Sequence, residues 1–137
     1  MTDTAAQAKV SVEPQVKTLR ILIVEDHPDT ALSLRILLHS EGHEVRVATS
    51  LAEALAVAAD FDFDLLLSDI GLPDGRGTDL LKQLRLCLGH PINAIAMTGF
   101  GMEDDLEQSR RAGFIAHLTK PVEFNILRQN IASIADK

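Results

Sequence analysis

With 137 residues the chain can bury one core but is too short for a second module of ordinary size, so a single domain is expected. Hydrophobic residues at 46% and charged residues at 24%, with five Phe and no Trp or Tyr, describe a globular protein with an aliphatic core. The net charge of −7 argues against a basic face for direct nucleic-acid binding, and the single cysteine excludes an internal disulfide.

Residues 1–18 mix Thr, Ala, Gln, Lys and Pro without periodicity and are expected to form a flexible tail or the stub of a linker, followed by one domain over 19–134 and a short tail at 135–137. No stretch has the order of a signal peptide or the ~18 apolar residues of a membrane span, so a cytoplasmic chain without its own membrane contact is expected. From Leu19 the run Leu-Arg-Ile-Leu-Ile-Val predicts a first strand that ends at Glu25-Asp26. His27-Pro28-Asp29-Thr30 predicts the opening of a helix that stops at Gly42, with Thr30, Leu34, Leu37 and Leu38 facing the core. A short second strand over 44–48 precedes a helix over 51–59, capped by Ser50 with Glu53 at the capping-box position.

Residues 64–68 predict a third strand, Asp-Leu-Leu-Leu-Ser, buried on both faces and delivering Asp69 to its C-terminal end. The Ile-Gly-Leu-Pro-Asp-Gly run after it cannot extend that strand and predicts a loop over Asp69. A third helix is expected over 75–88, a fourth strand over 91–97 ending in Thr98-Gly99, and a polar helix over 102–112 that Gly113 closes. A fifth strand over 115–119 ends in Lys120-Pro121, and a last helix covers 122–134. Cys87, inside the apolar run Leu84 to Leu88, reads as a buried structural thiol, and His27, His39, His43 and His90 read as surface or capping groups.

Five alternations of strand and helix imply an α/β fold: a five-stranded parallel sheet, doubly wound, flavodoxin-like, in a three-layer (βα)5 sandwich. Its strand ends then share one rim, where a parallel sheet keeps its ligand crevice. Glu25 and Asp26 follow the first strand, Asp69 the third, Thr98 the fourth and Lys120 the fifth, so three carboxylates, a hydroxyl and an ammonium converge. Three such acids repel one another unless a cation sits among them, and oxygen-only donors suit a hard divalent ion such as Mg2+. The hydroxyl and the ammonium supply donors for an anion, most simply a phosphoryl group, with Asp69 the best-placed nucleophile. Taken singly, Asp69 also fits a loop-solvating acid, Glu25-Asp26 a helix-leading pair, Thr98 an ordinary strand-end hydroxyl and Lys120 a surface lysine.

Glu25-Asp26, Asp69 with Pro73 four residues on, Thr98-Gly99 and Lys120-Pro121 together resemble the receiver domain of two-component response regulators, a resemblance that covers residues 19–134. It implies that Asp69 is the phospho-acceptor, that Asp26, Asp69 and the Gly71 carbonyl hold Mg2+ with Glu25 acting mainly through water, and that Thr98 and Lys120 receive the phosphoryl oxygens. It also implies a histidine kinase or histidine phosphotransfer domain as partner. His117 stands three residues before Lys120, where the family usually carries Tyr or Phe as a rotating switch, so the chain departs from the pattern there. The runs Val-Glu-Asp-His-Pro-Asp-Thr, Met-Thr-Gly-Phe-Gly and His-Leu-Thr-Lys-Pro are similar to receivers of hybrid histidine kinases, and a stand-alone regulator fits as well.

Two other classes stay open at this point. A binding module with the same fold that signals without phosphorylation would be expected to lack part of the acceptor, metal and donor set, which is complete here. A metal-dependent phosphohydrolase with an aspartyl nucleophile commonly has a second acid two residues later, and that position is Gly71. Turnover on an outside substrate is therefore not expected, only self-phosphorylation and slow self-hydrolysis. No output module follows in the sequence, so the signal is expected to leave through a partner or the rest of a larger protein. Leu32 and Ile36, at i, i+4 spacing opposite the expected core face of the first helix, mark a candidate docking ridge for the phosphodonor.

Overall fold

The structure, a computed structural model, describes residues 17–99 and 104–136. Most of the expected N-terminal tail lies outside the described residues, as do Phe100 and the expected helix start at Met102. Five strands, β1 (Arg20–Val24), β2 (Glu44–Ala48), β3 (Leu65–Asp69), β4 (Asn93–Thr98) and β5 (Ala116–Thr119), alternate with five helices. The helices are α1 (Pro28–Ser40), α2 (Leu51–Asp60), α3 (Gly77–Leu88), α4 (Asp104–Ala112) and α5 (Phe124–Ala135). The strands form one parallel sheet in the order β2-β1-β3-β4-β5, the doubly wound arrangement expected.

Position in the sheet accounts for the strand sequences. The inner strands β1, β3 and β4 have continuous apolar runs because helices cover both their faces, whereas the edge strands β2 (Glu-Val-Arg-Val-Ala) and β5 (Ala-His-Leu-Thr) are mixed. On one face Leu22, Val24, Leu66 and Ala96 pack with Ala54 and Ala58 of α2 and Leu80, Leu81 and Leu84 of α3. On the other, Ile23, Leu67, Ile95 and Met97 pack with Leu34 and Leu38 of α1 and Leu127 and Ile131 of α5. Pro28 opens α1, and Ser50 caps α2 by accepting from the Glu53 amide at 3.1 Å. The Glu53 carboxylate reaches one residue further back than a simple capping box requires, accepting from the Thr49 amide and hydroxyl at 2.7 Å each. Gly89, at φ 72°, closes α3 in the left-handed conformation.

Four side chains sit differently from expectation. Cys87 is exposed, as is Leu86 beside it, because the buried stripe of α3 runs through Thr78, Leu81 and Leu84 at helical spacing and leaves both outside it. Leu37 is 38% exposed and Thr30 half-buried; Ala31, Leu34 and Leu38 form the buried stripe of α1, and Leu37 lines a groove against Val122 and Phe124. His43 is buried rather than on the surface. Its Nδ1 accepts from the Leu19 amide at 3.0 Å and so fastens the start of β1 beside β2. The last helix continues one residue past the expected end, and Ala135 is helical and buried.

Burial pushes the His43 pKa below the ordinary histidine value, with the Glu41 charge only partly opposing. Protonation at Nδ1 would also destroy the acceptor that Leu19 uses. A depressed folded-state value means that His43 contributes stability above the ordinary histidine pKa and loses it as the pH falls through that value toward the folded one. Replacing His43 with Gln, which keeps an acceptor but does not titrate, is therefore expected to flatten part of the stability loss as the pH falls below roughly 6.5. Urea unfolding at a series of pH values measures this, and an unchanged slope would assign the loss to other groups.

Candidate functional site

The C-terminal rim brings together the strand-end residues that the sequence singled out. β1 and β3 are adjacent, with Val24 level with Ser68, so Glu25 and Asp26 emerge beside Asp69. β4 lies on the other side of β3, and Thr98 is paired with Thr119 of β5, one residue before Lys120. Glu25, Asp69 and Thr98 are buried, while Asp26 and Lys120 are half-buried. The Lys120–Pro121 peptide is cis.

Lys120 bridges the acids from the far end of the sheet. Its Nζ donates to Asp69 Oδ2 at 2.7 Å and forms an ion pair with Glu25 Oε1 at 2.6 Å. The second Asp69 oxygen, Oδ1, accepts from the Gly71 amide at 3.3 Å. Gly71 opens a two-residue antiparallel ribbon, Gly71–Leu72 against Gly75–Arg76, whose turn is Pro73-Asp74. This ribbon is the loop expected over Asp69, and the helix predicted from residue 75 starts two residues later because Gly75 and Arg76 belong to it. Asp26 Oδ1 is buried and has no hydrogen bond.

The neighbouring charges set the electrostatics. Burial raises the Asp69 pKa above the ordinary carboxylate value, and the Glu25 charge adds to this, more than the Lys120 ammonium and the Gly71 amide take away. For Glu25, burial also pushes upward, but Lys120 and the His27 ring and amide outweigh it and leave the pKa lowered. The two acids share one ammonium and still move in opposite directions because His27 serves Glu25 and not Asp69. Burial opposes the charged form of Lys120, yet Asp69 and Glu25 raise its pKa, so it stays an ammonium at neutral pH.

His27, assigned from sequence to the surface or a cap, joins this cluster. It is the N-cap residue of α1 with a side chain 68% exposed, yet Nδ1 lies 2.8 Å from Glu25 Oε2 and 3.4 Å from Asp26 Oδ1. The signal was its adjacency to Glu25-Asp26, which matters because the chain turns sharply from strand into helix there. One ligand atom from each of Glu25, Asp26, His27 and Asp69 lies within 4.8 Å of the others. With a buried carboxylate oxygen among them that accepts no hydrogen bond, Asp26 Oδ1, these residues fit a hard divalent cation. Other sequence candidates lie apart from the cluster. His117 is half-buried on β5 with Nε2 buried and without a hydrogen bond, and burial followed by the Arg110 charge lowers its pKa. Leu32 and Ile36 lie on α1, 52% and 57% exposed.

Residues 21–132 match the family model of the response regulator receiver domain. The chain belongs to that family. Receiver domains are regulatory modules that pair with histidine kinases or phosphotransfer domains. The chain is 40% identical over 104 residues to an uncharacterized 14.6 kDa protein of Leptolyngbya boryana, covering 75% of this chain and 79% of that one. It is 38% identical over 115 residues to the response regulator protein PilR of Pseudomonas aeruginosa, covering 83% of this chain but only 25% of that protein. Against the sensor histidine kinase RcsC of Salmonella typhimurium it is 29% identical, covering 87% of this chain and 12% of the kinase. A CheY-like receiver domain protein of Methanospirillum hungatei superposes with a TM-score of 0.78 at 36% identity, over 88% of this chain and 95% of that one. Receiver sequences of this kind thus occur in response regulators and in larger kinases. No helix among the described residues is long and apolar enough to cross a membrane.

The raised Asp69 pKa has a consequence for stability. A folded-state value above the unfolded one favours folding at low pH and is lost as the pH rises through the folded value, so ionised Asp69 costs stability at neutral pH. Asp69→Asn is expected to stabilise the metal-free protein at pH 7 on the order of 1 kcal/mol, a gain that shrinks toward pH 4. Thermal melts in a chelator check it, and a lower melting temperature for the variant at pH 7 would show that the Lys120 pairing outweighs the burial penalty.

Proposed function

We propose that this chain accepts a phosphoryl group from a phosphohistidine donor onto Asp69 and thereby switches a protein-interaction surface. The observation that carries the reading is the orientation of Asp69, a buried carboxylate with Oδ2 on Lys120 and Oδ1 on the Gly71 amide, beside a second acid whose buried oxygen accepts no hydrogen bond. An Asp69 oxygen attacks the phosphorus in line as the P–N bond to the donor imidazole breaks, and the imidazole leaves with that electron pair and takes up a proton. Lys120 neutralises charge on the phosphoryl oxygens, and the Thr98 hydroxyl donates to another of them. Asp26 and Asp69, with the Gly71 carbonyl and with Glu25 through water, would hold Mg2+, which neutralises charge on the transferring group when bound.

The modification puts a phosphoryl group of about −1.5 to −2 charge in place of the single Asp69 charge, so the end of β3 becomes more negative by up to about one unit and gains strong acceptor oxygens. Thr98 and Lys120 respond to it, and both lead into the face formed by α4, β5 and α5, where His117 takes the place of the usual aromatic switch. The lowered pKa of His117 keeps that ring neutral at pH 7. For the donor, Leu32 and Ile36 form an exposed apolar pair on α1, the helix that Glu25 and Asp26 lead into. A phosphodonor helix of a histidine kinase or phosphotransfer domain is the proposed occupant.

Incubation with phosphoramidate or acetyl phosphate and Mg2+ is expected to add one phosphoryl mass to the intact protein, and neither chelator-treated protein nor Asp69→Asn should gain it. A chain that stays unmodified under all conditions would point instead to a phosphorylation-independent binding module. Changing Leu32 and Ile36 together to Lys is expected to slow transfer from the cognate phosphohistidine protein about tenfold or more while leaving the small-molecule reaction unchanged. Equal transfer rates before and after that change would remove α1 as the docking ridge.

A further inference from the structure

Asp74 stands five residues after Asp69 at the tip of the ribbon, exposed and not among the clustered acids. Its two carboxylate oxygens are both engaged, Oδ1 by the Leu51 amide at 2.7 Å and Oδ2 by the Ala52 amide at 3.0 Å. These are the first two amides of α2, which have no partner within their own helix, and a carboxylate is favoured at that end of the helix. The next amide, of Glu53, is served by Ser50, so the ribbon tip and the local cap divide the helix terminus between them. The two amides hold the Asp74 pKa low.

The ribbon is thereby fixed at both ends. At its far end the Gly77 amide donates to the Ile70 carbonyl at 2.7 Å, and the backbone is so close that a Cβ at Gly77 would lie 2.5 Å from the Asp69 carbonyl oxygen. At its tip, a Cβ at Gly75 would lie 2.9 Å from Leu51 Cδ1, so the tip rests on the first residue of α2. Between these points Leu72 pairs with Gly75 and Gly71 with Arg76. What remains adjustable is the Gly71 amide on Asp69 Oδ1, a long contact at 3.3 Å that a small displacement of the ribbon would break.

We propose that Asp74 is a positioning residue for this site: by tying the ribbon to the first amides of α2 it keeps the Gly71 amide on Asp69 Oδ1 and so holds the Asp69 carboxylate in one orientation. The effect on chemistry rests on the reading of Asp69 as phosphoryl acceptor. With Lys120 on one oxygen and Gly71 on the other, the carboxylate has little freedom to rotate; without the tie, Lys120 alone orients it. Misplacement by a fraction of an ångström is enough to slow an in-line transfer.

The test compares Asp74→Ala, Asp74→Asn and Ser50→Ala, the last removing a cap from the same helix end without touching the ribbon. In the metal-free, unmodified protein, Asp74→Ala is expected to speed hydrogen exchange of the Gly71 amide about tenfold, with Ser50→Ala close to the parent and Asp74→Asn between them because it retains one acceptor oxygen. The rate of phosphorylation by phosphoramidate is expected to follow the same order, falling about fivefold in Asp74→Ala. Equal Gly71 exchange in Asp74→Ala and Ser50→Ala would overturn the proposal, and so would an Asp74→Asn variant no better than alanine, since charge rather than the tie would then be responsible. A parent protein that takes up no phosphate would overturn the acceptor reading alone, while the exchange comparison would still decide the tie.

Discussion

The site depends on one interaction above all, the lysine at the end of β5 that spans β4 to reach the acids at the ends of β1 and β3. Burying two carboxylates side by side in a low-dielectric rim is costly unless a cation stands between them, and Lys120 lies 2.6 Å from Glu25 and 2.7 Å from Asp69. The bridge joins segments far apart in the chain, since Lys120 is 51 residues from Asp69, and only the sheet order brings them together. It also divides the acids unequally. His27 gives Glu25 further donors and leaves Asp69 as the acid whose ionised form is least compensated, the one at which a charge-neutralising ligand has most to offer.

The sequence made the fold legible where one rule governed several residues at once. Continuous apolar runs in the inner strands, Gly at helix ends and polar residues after every strand all pointed to a parallel doubly wound sheet, and the observed order agrees. It was less legible where neighbouring residues on one helix divide between core and solvent. Cys87 and Leu37 sit in apolar runs, and a run alone does not tell which side of a helix each residue takes; the buried stripe through Leu81 and Leu84, or through Leu34 and Leu38, decides that.

The candidate site was legible as a set of strand ends but not as a network. Asp69, Asp26, Glu25 and Lys120 are brought together, yet nothing in their spacing indicated that Lys120 would touch Glu25 as closely as Asp69. His27 and His43 were read alike from sequence and have opposite surroundings: one is an exposed ring bonded to a buried acid, the other a buried ring accepting a backbone amide. Both depend on contacts across a turn or between strands. The bond from α2 to Asp74 belongs to the same kind, since residues more than twenty apart meet only after the helix has packed against the sheet.

Charge balance links the geometry to the chemistry independently of any resemblance. Glu25, Asp26 and Asp69 set three carboxylates against the one Lys120 ammonium, with the exposed His27 ring adding a positive charge only when protonated. A phosphoryl group of about −2 charge in place of the Asp69 carboxylate would add roughly one negative charge to this rim. Lys120 would then share its single charge between the phosphoryl oxygens and Glu25, which is fully buried. On the proposed reading a further cation would relieve that excess, and Asp26 Oδ1, buried and accepting no hydrogen bond, is an acceptor available to it. Burial, joined by the Glu25 charge, disfavours ionised Asp69 in the unmodified site, and on the proposed reading a divalent ion would offset the same cost after modification.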